Sequence, residues 1–81
     1  MRDEQALKRN ADGTIEIVTV YRDADGHRYV DPKAADYGTP SERLACTGEG
    51  TTIKGWGELD GPAAVYRTPA GMEILLAEYA T

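Results

Sequence analysis

Three four-residue stretches constrain this chain more than any other feature. Asn10-Ala11-Asp12-Gly13, Asp23-Ala24-Asp25-Gly26 and Thr68-Pro69-Ala70-Gly71 all close on glycine. Each opens on a residue whose side chain can bond the backbone of its own turn, and the third has proline second. That is the chemistry of a type I turn whose fourth residue takes the left-handed conformation and makes a bulge. Glycine enters that region without the clash a Cβ brings. The tetrads predict three hairpin-like reversals, so the chain is expected to fold as an antiparallel sheet.

The segments between the tetrads agree. Thr14 to Arg22 is dense in β-branched residues and reads as a strand. Ile15, Ile17, Thr19 and Tyr21 share one face, with Val18 and Val20 on the other. Apolar residues on both faces predict a central strand or one covered on both sides. His27 to Asp31 reads as its antiparallel partner, ended by Pro32. Residues 32–50 look irregular apart from Thr39-Pro40-Ser41-Glu42, which has the form of a capping box with proline at the first helical position. A helix of one or two turns is expected there, stopped by Gly48. Thr51 to Leu59 reads as a strand, Asp60-Gly61-Pro62 as a turn and Ala64 to Arg67 as another strand. In the last segment Met72, Leu75, Leu76 and Tyr79 fit helical spacing. The turn before it, and the need of Val65-Tyr66 for a partner, favour a strand instead. Residues 1–10 read as a charged helical segment, with Glu4 and Lys8 four apart, or as a frayed edge. The expected fold is mainly β (or α+β): a small antiparallel sheet or half-barrel of four or five strands, with one short helix near 40–46, in a single domain over 1–81.

Composition narrows the function classes. The chain has 81 residues, one Cys, one His and one Ser. One Cys excludes an internal disulfide framework and a cysteine zinc cage. No apolar run approaches the roughly 18 residues that span a bilayer. The opening Met1-Arg2-Asp3-Glu4-Gln5 has no apolar region of a secretory signal, so a soluble, cytoplasmic chain with no membrane partner is expected. There is no Phe, and five Tyr and one Trp supply the large rings. Most aromatic bodies therefore carry a polar tip, which favours a half-open sheet or a dimer that shares its core. The net charge is −5, with six basic against eight acidic side chains in residues 1–40 and three against six in 41–81. Such a dispersed acidic surface repels phosphate, so direct nucleic-acid binding is not the expected activity.

Catalytic material is scarce. Ser41 is accounted for by the capping pattern, His27 by a strand end and Cys46 by a small buried thiol. Asp23-Ala24-Asp25-Gly26 resembles half of a calcium loop, but Tyr21 and Pro32 stand where further acids belong. Gly48-Glu49-Gly50-Thr51-Thr52 lacks the Gly-Lys-Ser/Thr ending of a phosphate loop, and Gly55-Trp56-Gly57 lacks the third glycine of a dinucleotide fingerprint. No catalytic, cofactor or metal site is expected, and the chain is read as a non-enzyme.

Binding residues are easier to name. In a strand, Thr52, Lys54, Trp56 and Glu58 share a face and the opposite face is bared by Gly55 and Gly57. Trp56 is then either the one large core ring or a contact anchor, since Trp and Tyr are enriched at binding hot spots. Carboxylates at i and i+2 on a strand stand about 6.6 Å apart, near the phosphate repeat of a nucleic-acid strand. Asp23 with Asp25 and Glu58 with Asp60 form such pairs. The expected contact set is Asp23, Asp25, Glu58 and Asp60 for charge, with Trp56, Tyr29 and Tyr66 as anchors. In size, acidity and tyrosine supply the chain resembles the small phage-encoded inhibitors of bacterial defence, anti-CRISPR proteins among them. That resemblance implies steric and electrostatic blocking of a host protein or nucleoprotein complex. The alternatives are a small β-barrel that stacks single-stranded nucleic acid on Trp56 and Tyr66 beside Lys54 and Arg67, and a structural subunit, including a homodimer.

Overall fold

The computed structural model describes residues 2–78. Tyr79, which the helical spacing would group with Met72, Leu75 and Leu76, lies outside them. Six antiparallel strands form one curled half-barrel sheet. They are β1 (Arg2–Arg9), β2 (Ile15–Arg22), β3 (Arg28–Tyr29), β4 (Ala45–Ile53), β5 (Gly61–Arg67) and β6 (Glu73–Ala77). Their order across the sheet is β3-β2-β1-β6-β5-β4. One short helix, α1 (Pro32–Tyr37), and two single 3-10 turns, Pro40–Glu42 and Gly57–Leu59, fill the connections.

The three tetrads build three near-identical reversals, joining β1 to β2, β2 to β3 and β5 to β6. In each, the glycine N–H donates to the carbonyl of the first residue, at 3.0, 3.1 and 2.8 Å. The first residue's N–H in turn donates to the carbonyl just past the glycine, at 2.8 Å for Asn10 to Thr14, 3.0 Å for Asp23 to His27 and 2.8 Å for Thr68 to Met72. Gly13, Gly26 and Gly71 sit at φ 88°, 88° and 90°.

Three local expectations are corrected. Residues 1–10 are neither helical nor frayed where described: β1 is a central strand, paired with β2 over eight residue pairs and with β6 over four. The reason is burial on both faces. Ala6 and Leu7 point to opposite sides of the sheet and are 0% and 1% exposed. Adding β1 gives six strands, not four or five. The helix lies at 32–37, ahead of the 40–46 region, where Pro40–Glu42 makes one 3-10 turn without a side-chain cap from Thr39. Local chemistry selects the earlier site. The Asp31 carboxylate accepts from the Lys33 amide, Pro32 starts the helix, and Gly38 at φ 62° ends it. The strand expected over 51–59 is displaced towards the N-terminus and stops at Ile53, because Gly55 and Gly57 take φ of 84° and 63°. The final segment is a strand, β6.

Register sorts the side chains onto two faces. The inner face carries Ala6, Val20, Ile74 and Leu76, capped by Leu44 and flanked by Val18, Val30 and Tyr66. The outer face carries Leu7, Ala63, Val65 and Leu75, with Ile53 and Leu59. The direction of curl follows from one contact. Arg28 on β3 and Tyr66 on β5 are four strand steps apart, about 19 Å across a flat sheet. Arg28 Nη1 nevertheless donates to Tyr66 Oη at 2.9 Å. The sheet is therefore concave on the inner face. Leu44 N donates to Arg28 O at 2.8 Å, drawing the start of β4 towards β3. Beyond that contact the flank of β4 away from β5 is an open edge, and a bulge between Cys46 and Gly50 breaks its regularity, with Gly48 at φ 78°.

Candidate functional site

The outer face is only partly covered. At one end of β2, Tyr21 and Tyr29 pack beneath Ala34 and Ala35 of α1. Over β1, β5 and β6 the chain between β4 and β5 folds back, and Leu59 and Trp56 pack on Leu7, Val65 and Leu75. Neither cover reaches the start of β2. Ile15 is 36% exposed there and Ile17 is 54% exposed. The two-sided apolar pattern of β2 predicts cover on both faces; the start of the strand is left open on the outer one.

Beside this open strip runs a groove of about 220 Å3. Its floor is Leu7, Ile53 and Leu75, its walls are Trp56 and Ile15, and Arg9 and Lys54 stand on its rim. Arg9 Nη1 donates to Glu73 Oε1 at 2.7 Å, and Arg67 approaches the other oxygen of the same carboxylate at 3.9 Å. Among the described residues Lys54 makes no ion pair, and no carboxylate lines the groove.

The residues named from the sequence fall in different places. Trp56 is half-buried and forms a wall of the groove, so it packs on the core and remains reachable. It lies past the end of β4, not on a strand. Tyr29 is 0% exposed, which removes it from any contact surface. Its hydroxyl donates to Asp23 Oδ2 at 2.8 Å and accepts from Arg43 Nε at 3.0 Å. Tyr66 faces inward, where the Arg28 guanidinium lies 5.3 Å from its ring centroid. Arg28 also donates to Glu4 at 3.0 Å, and Arg22 lies 3.8 Å from the same oxygen.

The acidic pairs are dispersed. Asp23 and Asp25 occupy the turn after β2, and Glu58 and Asp60 the connection before β5, on strands separated by β1 and β6. Asp23 Oδ1 accepts from the amides of Asp25 and His27 at 3.0 and 2.9 Å. Partial burial pushes the Asp23 carboxyl up, but the Tyr29 hydroxyl and these two amides together outweigh it and hold the pKa below the usual aspartate value. Asp60 Oδ1 accepts from the Trp56 amide at 2.6 Å. Asp25 and Glu58 are exposed. Cys46 is exposed on β4, not buried at a helix end as its sequence context implies. Among the described residues no group of three or more His, Cys, Asp or Glu is placed to hold a metal ion. No described helix is long and apolar enough to cross a membrane.

Sequence reasoning missed Leu7, Ile15, Ile17 and Leu75 as parts of a surface. The alternation of Ile15 and Ile17 is legible in the sequence but does not say which face stays uncovered, and Leu7 and Leu75 lie in segments without alternation. Comparison with protein-family models, with curated proteins and with solved structures finds no match.

Proposed function

We propose that this chain is a non-enzymatic protein-binding module that docks through the outer face of its sheet and blocks its partner sterically. One observation carries the reading: Ile17, 54% exposed, stands opposite Leu7, which floors a groove walled by the only Trp. An apolar strip rimmed by polar groups on a small domain is the usual mark of a protein contact. Trp56 is already half-packed, so it loses little conformational freedom on binding. The inhibitor reading comes from the compositional resemblance to phage-encoded blockers of bacterial defence. The mechanism changes from the one composition favours. Asp23 and Asp60 are engaged by their own turns, so the apolar face, and not a row of carboxylates, supplies the contact.

The test is paired affinity capture from bacterial lysate with the native chain and with Ile17→Thr. A protein retained by the first and lost with the second supports outer-face docking. Equal retention by both removes it.

One observation favours a second reading. Lys54 and Arg9 flank Trp56, which is the arrangement of a stacking platform for single-stranded nucleic acid. Tyr66 does not join it, because it faces the inner side. Binding to a naked oligonucleotide that weakens steeply with salt would establish this second reading in place of the first.

A further inference from the structure

We propose that the groove beside Trp56 receives a large apolar side chain from a partner segment that carries carboxylates next to it. The inference rests on outer-face docking and adds the chemistry of the occupant.

Size comes first. At about 220 Å3 the groove is smaller than the roughly 300–1,000 Å3 of small-molecule clefts. It suits a single anchoring side chain, the knob-in-pocket form of an interface hot spot. The floor of Leu7, Ile53 and Leu75 is nearly fully buried, at 1%, 3% and 4% exposure, so it is a fixed surface.

Charge then selects the occupant. The chain is net −5, yet both charged residues that line the groove are basic. Lys54 is exposed and pairs with no described carboxylate. Arg9 is already paired with Glu73, so Lys54 decides: a segment bearing lysines meets a like charge at the rim, and a segment bearing carboxylates meets an ammonium with no described partner. A nucleic-acid strand needs a track of cations. Here one of the two is already held by Glu73. A second copy fits worse. A two-fold contact sets the same patch against itself, bringing two cationic rims together, and the open strip of Ile15 and Ile17 offers them no carboxylate.

Trp56 is the only Trp, so its emission reports the groove. The full chain is titrated with three probes: a peptide alternating leucine and aspartate, its leucine–lysine counterpart, and a short oligothymidylate. The aspartate peptide is expected to shift the emission saturably and to bind about tenfold more tightly than the lysine peptide. Lys54→Glu should reverse that order while leaving the circular dichroism unchanged. No saturable shift with the aspartate peptide, preference for oligothymidylate, or a shift with protein concentration alone would each overturn the proposal. The two levels separate cleanly. If both peptides bind equally and Ile17→Thr weakens both, the charge assignment falls and outer-face docking stands. If the peptides leave Trp56 unaffected and Ile17→Thr retains a lysate partner as well as the native chain does, docking through this face falls as well.

Discussion

The Tyr29 hydroxyl stands between Asp23 and Arg43, donating to Asp23 Oδ2 at 2.8 Å and accepting from Arg43 Nε at 3.0 Å. Among the described residues Tyr29 is the largest fully buried side chain. Its one polar atom ties the turn after β2 to the segment that follows α1. Tyr29→Phe keeps the ring and removes both bonds. A loss of about 1 kcal/mol is expected in chemical denaturation, with the far-ultraviolet circular dichroism unchanged.

Acid should loosen the same corner. The folded pKa of Asp23 is depressed, so its contribution to stability is fully present above the unfolded aspartate pKa and is lost as pH falls through the folded value. Asp12 behaves alike, because the Thr14 hydroxyl and amide both donate to it. The denaturation midpoint should fall on acidification below the ordinary aspartate range. Asp23→Asn keeps an acceptor and removes the titration, so its profile should be flatter. A profile parallel to that of the native chain would show that Asp23 is not responsible.

Glycine has unequal importance along the chain. Gly26 sits at φ 88°, so Gly26→Ala should cost about 1–2 kcal/mol although nothing lies within 4 Å of the added Cβ. Gly50 has no such backbone, and a Cβ there meets Ala63 O at 3.5 Å, an ordinary contact. Gly50→Ala should therefore be nearly neutral. Thermal unfolding of the two variants side by side checks the contrast.

The two faces of the sheet should also respond differently. Ile74 is 0% exposed in the inner core, and Ile74→Ala should cost roughly 2–5 kcal/mol. Ile17→Thr keeps a β-branched residue on an open surface and should change stability by about 0.5 kcal/mol or less. Binding of a hydrophobic dye should fall with Ile17→Thr. Dye binding equal to that of the native chain would place the accessible apolar surface elsewhere.

What the residues reveal unaided depends on how far their causes reach. The three tetrads act within five residues, and each forms the expected reversal. The helix at 32–37 was equally local: Asp31, Pro32 and Gly38 carry its start and stop, but Pro32 also reads as the end of a strand, which hid it. The glycines at 55 and 57 end β4 for reasons visible in the sequence, and they move Trp56 from a strand face to a wall of the groove. β1 was not legible. Glu4 and Lys8 suit a helix, and only the edges offered by residues 15–22 and 73–77 settle the segment as a strand. The groove inherits that limit, since its floor joins residues from β1, β4 and β6.

The place of β1 bears on how the molecule is made. β1 precedes the other described strands in the chain and its second neighbour, β6, follows them all, so β6 leaves the ribosome well after β1. Until residues 73–77 emerge, β1 and β5 each keep one flank unpaired. Before then β1 to β3 and β4 with β5 share no strand pairing, meeting through contacts such as those of Arg28 with Leu44 and Tyr66, and each assembly exposes a strand edge to other chains. The sheet joins as a whole only once residues 73–77 are free, so the interval between the emergence of β1 and that of β6 sets how long those edges stay open.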